Sequence, residues 1–193
     1  MTASLLIGDV NDFHPVTGWA AYAAFSPVLI AKATQGTSFV ATTFEAARAG
    51  AAKSGLKAFG MYHFWQPGQD PVAQAQHAVA TIGKLSNAPV EWLILDVETG
   101  DDMGAYHQFC EHADAALGRR TWLYGGQQLT AAQTTRPRWI ARYFDQTPNP
   151  AHAPGIGEVL WQFADAYAVP GVGTADCSVY RGDVAQFLAV VEH

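Results

Sequence analysis

The sequence predicts an α/β fold, an irregular TIM-like β/α barrel of eight strands with fewer than eight helices. Three observations lead to this prediction: eight short apolar runs, alanine-rich helical segments between the first of them, and little room for helices after about residue 120. Several runs are apolar without alternation, which is typical of parallel strands covered on both faces. A doubly wound sheet is the alternative, but no segment resembles a phosphate-binding loop.

The eight predicted strands are rich in aliphatic and aromatic residues. They cover residues 4–10, 27–33, 57–65, 91–97, 120–126, 138–144, 158–164 and 176–182. The first four are separated by segments long enough for helices, whereas the last four follow one another quickly. This spacing predicts βαβ units in the first half of the chain and a strand-rich second half.

Three helices are predicted between the strands, at 40–54, 70–85 and 102–117. The second begins with Asp70, a good N-cap residue, followed by a proline in the first turn, where a missing N–H costs nothing. A glycine follows the first and the third helix, as is common where helices end.

The composition indicates one compact domain spanning residues 1–193. Hydrophobic residues make up 49% of the chain and charged residues 15%, with a net charge of −6. No basic cluster is present, so we expect no nucleic-acid partner. No apolar run approaches the ~18 residues of a membrane span, so we expect no membrane partner either. Cys110 and Cys177 fit no disulfide or zinc spacing. We also expect the protein to be a monomer.

Acidic residues lie where three predicted strands begin or end. Asp9 closes the first run, Asp96 and Glu98 close the fourth, and Asp176 opens the last. In β/α barrels the loops after the carboxyl ends of the strands form the active site. We therefore expect these four carboxylates to converge on one rim of the barrel.

Asp96 and Glu98 are two residues apart on one strand, so their side chains face the same way and their Cα atoms lie roughly 6.6 Å apart. Two like charges so close raise the pKa of one of them, which leaves a protonated acid beside an ionised neighbour. Glycoside cleavage needs this division between a proton donor and a stabilising or attacking group. Solvated loop acids or a cation site are the alternatives for any one of the four carboxylates, but four in this placement favour catalysis.

Aromatic residues surround the same positions. Tyr62, Phe64 and Trp65 end the third run, and Tyr124 and Trp161 lie in the fifth and seventh. Sugar rings stack well on aromatic planes, so we expect these residues to line a substrate cleft. Core packing is the alternative, and we expect it to hold for about half of them.

Five motifs together resemble glycoside hydrolase family 25, the lysozymes that cut bacterial cell wall between N-acetylmuramic acid and N-acetylglucosamine. They are "IGDVNDF", "IAKATQGTSFVATTF", "AGAAKSGLKAFGMYHFWQP", "LILDVE" and "WQFADAYAVPGVGTADCSVYRGD", in the family's order along nearly the whole chain. The resemblance implies that Glu98 is the general acid and Asp96 its partner, with Asp9 and Asp176 completing an acidic cleft. It also places Lys32 among the substrate-binding residues and implies the irregular barrel.

The chain departs from the family pattern at four positions, none of them a proposed catalytic carboxylate. Asn11 stands where Ser is usual, His14 where Gln is usual, Gln35 where Glu is common and Ser178 where Asn is common. Two mechanisms stay open. In one, the substrate's own acetamido oxygen attacks while Asp96 orients the amide; in the other, a water held by Asp9 or Asp176 attacks directly.

Two other classes of protein share part of this pattern. A non-catalytic carbohydrate-binding barrel, such as part of a phage tail, needs the aromatic residues but not the Asp-x-Glu pair. A metal-dependent hydrolase is disfavoured because His107 and His112 are five residues apart, off one helical face. We therefore expect no metal and no cofactor, and peptidoglycan glycan strands as the partner.

We expect no secretory signal at the start of the chain, because "MTASLLIGDVNDF" lacks a basic region ahead of its short apolar stretch. Together with the family resemblance, this predicts a phage endolysin made in the host cytoplasm that acts on the cell wall.

Overall fold

The architecture comes from a computed structural model that describes residues 4–126, 136–143 and 158–192. The elements, in chain order, are β1 Ser4–Val10, α1 Trp19–Phe25, β2 Val28–Gln35, β3 Phe39–Val40, α2 Phe44–Lys53, β4 Ala58–Phe64, α3 Pro71–Ile82, β5 Val90–Val97, α4 Met103–Leu117, β6 Trp122–Gly126, β7 Arg138–Ala141, β8 Glu158–Val169, β9 Gly173–Arg181 and α5 Val184–Val191. No helix among these residues is long and apolar enough to cross a membrane.

Eight of the strands form a closed barrel, and the two-residue β3 is a short addition beside β2. Neighbouring strands run parallel from β1 through β2 and β4 to β8, and β1 pairs with β2 on one side of the barrel. The described segments contain five helices. The predicted irregular barrel, with eight strands and fewer than eight helices, is therefore confirmed.

The last strand, β9, runs antiparallel to both of its neighbours, β8 and β1. The sequence interpretation did not include this reversal. Its physical reason is the short connection between Val169 and Gly173, because a few residues can join antiparallel strands but cannot make a parallel crossover. As a result, the beginning of β9 lies at the same rim as the carboxyl ends of the other strands.

The predicted helices are confirmed as α2, α3 and α4. Asp70 caps α3 by accepting a hydrogen bond from the Ala73 N–H at 2.7 Å, and Gly118 ends α4 with a positive φ of 67°. The sequence interpretation missed α1 and α5. It also extended the strand at 138–144 beyond the observed β7, and residue 144 lies outside the described residues.

Two apolar layers hold the barrel, one outside its wall and one inside. The outer layer lies between the strands and the helices α1 to α4. In the inner layer, Phe187 of α5 packs against Trp92 and Trp122, with ring centroids 5.6 and 5.8 Å apart. Because Trp92 lies near the start of β5, α5 closes the amino-terminal end of the barrel. The opposite end stays open for a site.

Candidate active site

The four predicted carboxylates line one cavity of about 150 Å³ at the open end of the barrel. Asp9 is near the end of β1 and Asp96 near the end of β5, while Glu98 follows β5 directly and Asp176 lies in the first half of β9. The inward face of each strand alternates with the outward face, so residues two apart point into the same space. This alternation brings Asp96 and Glu98 to the same cavity.

Asp96 is a buried carboxyl group, with only 5% of its surface exposed. Burial raises its pKa well above the usual value, and the nearby charge of Glu98 raises it further, whereas Lys32 acts in the opposite direction. Among the described residues, Asp96 Oδ1 has no hydrogen-bond partner. A buried acceptor without a partner is costly, so this oxygen is ready to accept a hydrogen bond from a ligand.

Asp9 and Asp176 form a carboxyl pair. They lie directly opposite each other on the antiparallel strands β1 and β9, and their side chains are hydrogen-bonded. Burial raises the pKa of both, and the charge of Asp176 adds to the rise for Asp9. Two carboxyl groups in this contact hold a shared proton, because both cannot be ionised without strong repulsion.

Gln162 of β8 lines the cavity as well, although it was not among the predicted site residues. Its Nε2 donates to Asp9 Oδ2 at 3.0 Å, and its Oε1 accepts from the Tyr124 hydroxyl at 2.6 Å and from the Tyr143 hydroxyl. Strand alternation was the signal that could have found it, because Gln162 is two residues beyond the inward-facing Leu160.

Lys32 lies on the cavity wall beside the carboxylates. Its ammonium group donates to Gln35 Oε1 at 2.8 Å and lies 4.7 Å from the centre of the Phe64 ring and 5.5 Å from that of Phe39. Partial burial lowers the pKa of Lys32, and the charge of Asp96 opposes this effect. The cavity thus has one amino group held between aromatic rings at the edge of an acidic cluster.

Three of the five predicted aromatic residues line the cavity, namely Tyr62, Phe64 and Tyr124. Trp139 and Asn11 also line it and were missed. The Trp139 indole N–H donates to the Ser178 hydroxyl at 2.9 Å. The Asn11 side chain is hydrogen-bonded to the Tyr62 hydroxyl and fixes the turn after β1 by accepting from the Phe13 N–H at 2.9 Å.

The expectation that Trp65 and Trp161 line the cleft was wrong, because both lie in the outer apolar layer. Trp65 is 4% exposed and packs edge-on against Tyr106 of α4, with ring centroids 5.2 Å apart. Trp161 donates its indole N–H to the Arg142 carbonyl at 2.7 Å and packs against Phe163. Each tryptophan is next in sequence to an inward-facing residue, so alternation turns it outward.

The histidines give no support to a metal centre. In the described part of the chain, no cluster of three His, Cys, Asp or Glu side chains could hold a metal ion. His63 lies outside the barrel, between the Thr34 hydroxyl at 2.8 Å and Gln74 Oε1 at 3.2 Å. Burial lowers its pKa to about 4, so at neutral pH His63 is an uncharged residue of the outer layer.

The barrel and the acidic, aromatic-lined cavity at its open end are typical of a glycosidase. A model of the glycosyl hydrolases family 25 matches residues 9–172. The chain therefore belongs to glycosyl hydrolases family 25, and it is a glycosidase of the lysozyme class.

Relatives extend this match over most of the chain. The N,O-diacetylmuramidase of a Chalaropsis species is 27% identical over 188 residues, covering 84% of this chain and 89% of the relative. The structure of a muramidase from Trichobolus zukalii is similar with a TM-score of 0.80 and 25% identity, over 97% of this chain and 99% of that one. The bacterial lysozyme from Streptomyces coelicolor shares the fold, with a TM-score of 0.84 at 22% identity over 100% of this chain and 99% of that one.

Proposed function

We propose that this glycosidase hydrolyses the β-1,4 bond between N-acetylmuramic acid and N-acetylglucosamine in peptidoglycan, with Glu98 as the general acid. The main support is the contrast between Asp96 and Glu98, which face one cavity from the end of β5 although Asp96 is buried and Glu98 is exposed. An exposed carboxyl group can reach the leaving oxygen of a bound glycan, whereas a buried one stays fixed. The name of the Chalaropsis relative, N,O-diacetylmuramidase, supports the choice of substrate.

A substrate-assisted reaction fits this arrangement. Glu98 donates its proton to the leaving glycosidic oxygen while the carbonyl oxygen of the substrate's 2-acetamido group attacks the sugar carbon and forms a cyclic intermediate. Asp96 accepts a hydrogen bond from the acetamido N–H through its unpartnered Oδ1 and stabilises the positive charge that develops. Water then opens the ring, and Glu98 takes the proton from that water, which restores the enzyme.

Direct attack by a water molecule is the second mechanism. It needs an ionised carboxylate that is free to act as a base, and Asp9 and Asp176 are the two available groups. Both are already hydrogen-bonded to each other, and Asp9 also accepts from Gln162. Because these hydrogen bonds already engage both carboxyl groups, neither is free to hold and activate a water molecule, and the substrate-assisted route is favoured.

The site residues of the proposal are Asp9, Asp96, Glu98 and Asp176 for the reaction and Lys32, Tyr62, Phe64 and Tyr124 for binding the glycan. All of them line the same cavity. The proposal needs no cofactor, since carboxyl groups and the substrate's own amide supply the acid, the base and the nucleophile. Its place of action is the bacterial cell wall, and a phage endolysin is the source that we propose.

Digestion of purified peptidoglycan tests the proposal. We expect soluble muropeptides whose new reducing ends, after borohydride reduction, are N-acetylmuramitol. Glu98→Gln is the inactive comparison, and Glu111→Gln, at an exposed position of α4, is the matched control that keeps activity. N-acetylglucosaminitol ends would contradict the assigned bond, and tight binding without release of muropeptides would support a non-catalytic binding barrel instead.

A further inference from the structure

Every large hydrophobic side chain that is exposed in the described part of the chain lies at the open end of the barrel. Phe13 follows β1, Phe39 and Val40 form β3 beside the end of β2, and Tyr143 follows β7. Phe13 is 88% exposed, so its ring does not serve the core. Scattered exposed hydrophobic residues are ordinary on a protein surface, but a set confined to the end that holds the acidic cavity indicates a binding surface.

The backbone around Phe13 is fixed although its ring is exposed. Asn11 Oδ1 accepts hydrogen bonds from the N–H groups of Phe13 and His14, at 2.9 and 3.2 Å. Asp12 Oδ1 accepts from the Thr43 N–H at 3.0 Å and from the Thr43 hydroxyl at 2.8 Å, which ties the turn to the start of α2. Because the turn is already ordered, little backbone entropy is lost when a ligand covers the ring.

Phe39 lies between the cavity and the surrounding surface. The ammonium nitrogen of Lys32, which lines the cavity, is 5.5 Å from the centre of the Phe39 ring and 4.7 Å from that of Phe64. Phe39 pairs with Gln35 at the end of β2, and its carbonyl oxygen accepts a hydrogen bond from His77 Nε2 of α3 at 2.9 Å. The half-exposed ring of Phe39 therefore extends the aromatic lining of the cavity outward.

The cavity alone is too small for a glycan strand. Its volume is about 150 Å³, whereas pockets that enclose a small-molecule ligand range over roughly 300–1,000 Å³. A strand that is cut in its interior extends beyond the two reacting rings on both sides. Its further rings must therefore rest on the surface around the cavity.

The order of the strands gives this surface a direction. In the ring of eight strands, β5 lies opposite β9, and β2 lies opposite β7. Asp96 and Glu98 at the end of β5 therefore face Asp176 of β9 across the cavity. Phe39 beside β2 and Tyr143 after β7 flank the cavity along the perpendicular line. A strand that runs along this line has the carboxyl groups on both of its sides, as glycosidic cleavage requires.

We propose that Phe13 and Phe39 form a further sugar-binding subsite, which holds a ring of the glycan beyond the two rings joined by the scissile bond. The strand then continues across the cavity towards Tyr143. Sugar rings present apolar C–H faces that stack on aromatic planes, and the exposed ring of Phe13 offers such a plane. This inference rests on the proposed function, because it takes a glycan strand as the ligand.

Binding of peptide-free glycan of two lengths tests the subsite without turnover. The ligands are a disaccharide and a hexasaccharide of alternating N-acetylmuramic acid and N-acetylglucosamine, and NMR titration of Glu98→Gln measures their Kd. We expect Phe13→Ala in this background to weaken binding of the hexasaccharide about ten-fold, through the loss of one stacked ring, and to change the Kd of the disaccharide less than two-fold. Phe39→Ala should weaken binding of the hexasaccharide in the same direction.

Two further variants separate stacking from other effects. Phe13→Tyr keeps an aromatic plane and should keep the affinity for the hexasaccharide, and Glu111→Ala, at an exposed position of α4, should change neither Kd. An unchanged Kd for the hexasaccharide in Phe13→Ala would overturn the inference. So would an equal loss for both ligands, because a subsite outside the cavity affects only the longer strand.

Kinetics on the enzyme with Glu98 intact complete the test. We expect Phe13→Ala to raise KM for the hexasaccharide about ten-fold with kcat little changed, because a stacked ring far from the reacting bond binds the ground state and the transition state alike. If the wild type cleaves no glycan but the length-dependent loss of affinity is present, the proposed function fails and the subsite stands. If the wild type is active and Phe13→Ala has the wild-type Kd and KM, the subsite alone is rejected.

Discussion

Phe64 and Trp65 are neighbours in the chain, yet they lie on opposite sides of the barrel wall. Phe64 lines the acidic cavity under the Lys32 ammonium group, and Trp65 packs beneath α4 against Tyr106. Two large aromatic side chains that are adjacent in sequence are thus expected to serve different purposes, one in binding sugar and the other in stability.

Alanine at each of these positions separates the two purposes. We expect Phe64→Ala to raise KM about ten-fold with little loss of stability, because it removes a stacking surface for the sugar. Trp65→Ala should lower the free energy of unfolding by about 3–5 kcal/mol through the cavity it leaves, with KM unchanged in the folded protein. Urea unfolding and steady-state kinetics measure both effects. A raised KM in a fully stable Trp65→Ala protein would contradict the placement.

Glu98→Gln is expected to fold normally and to lose about 10²–10⁴-fold in turnover, because the amide keeps the shape but has no acidic proton to donate. The measurement is the rate of muropeptide release, with circular dichroism to check the fold. Near wild-type turnover in this variant would remove Glu98 from the role of general acid.

Asp96→Asn should impair turnover more severely than Asp9→Asn. In the proposed reaction Asp96 stabilises charge that appears only in the transition state. Burial and the charge of Asp176 raise the pKa of Asp9, so a neutral amide mimics the form of Asp9 that the site favours. Both variants are compared on the same defined muropeptide. Equal and mild losses would argue against the substrate-assisted reaction.

Asp96→Asn should lower turnover but raise the stability of the folded protein at high pH. The raised pKa of Asp96 means that the folded protein favours the neutral form of this carboxyl group. The stabilisation of the folded state by neutral Asp96 is therefore fully present below the unfolded pKa of about 3.9, and it is lost as pH rises through the folded pKa. Asparagine cannot ionise and avoids this loss. We expect a Tm above that of the wild type at pH 8 and a smaller difference at pH 3.

Thermal unfolding of both proteins at the two pH values, with Glu111→Gln as the exposed control, measures this difference. A variant less stable than the wild type at pH 8 would mean that the Asp96 carboxylate is well solvated or paired in the folded protein.

Dialysis against a strong chelator should leave activity unchanged, since the carboxyl groups and the substrate amide complete the proposed reaction. The measurement is turnover before and after dialysis. If the chelator inactivated the enzyme and only the addition of zinc restored activity, a metal-dependent mechanism would be favoured instead.

Local sequence patterns predict much of the fold, and the elements that they failed to predict have physical reasons. The strands and the three predicted helices follow from apolar runs and from cap residues such as Asp70. The seven-residue α1 has no side-chain cap and is too short to show a periodic pattern. The last helix, α5, is apolar almost throughout, yet its capping box of Asp183 and Gln186 is a sequence signal that could have revealed it.

The sequence predicts the site residues that lie at the carboxyl ends of strands. It does not predict the contacts between residues that are set by the pairing of two strands. Asp9, Asp96 and Glu98 follow from the rule for the carboxyl ends of barrel strands. The contact of Asp9 with Asp176, in contrast, depends on the register between β1 and β9, which no local pattern specifies. Strict alternation could have separated Phe64 from Trp65 and identified Gln162.

The reversed last strand also has a consequence during synthesis. Asp9 leaves the ribosome 167 positions before its partner Asp176, which lies on the strand that pairs with β1. A growing chain that stops before β9 therefore has an open edge on β1, no carboxyl pair and no finished cleft, however well its first βα units have folded. Ribosome-bound intermediates should thus be inert towards cell-wall glycan until the final hairpin is made, so catalytic competence and barrel closure arise in a single late step.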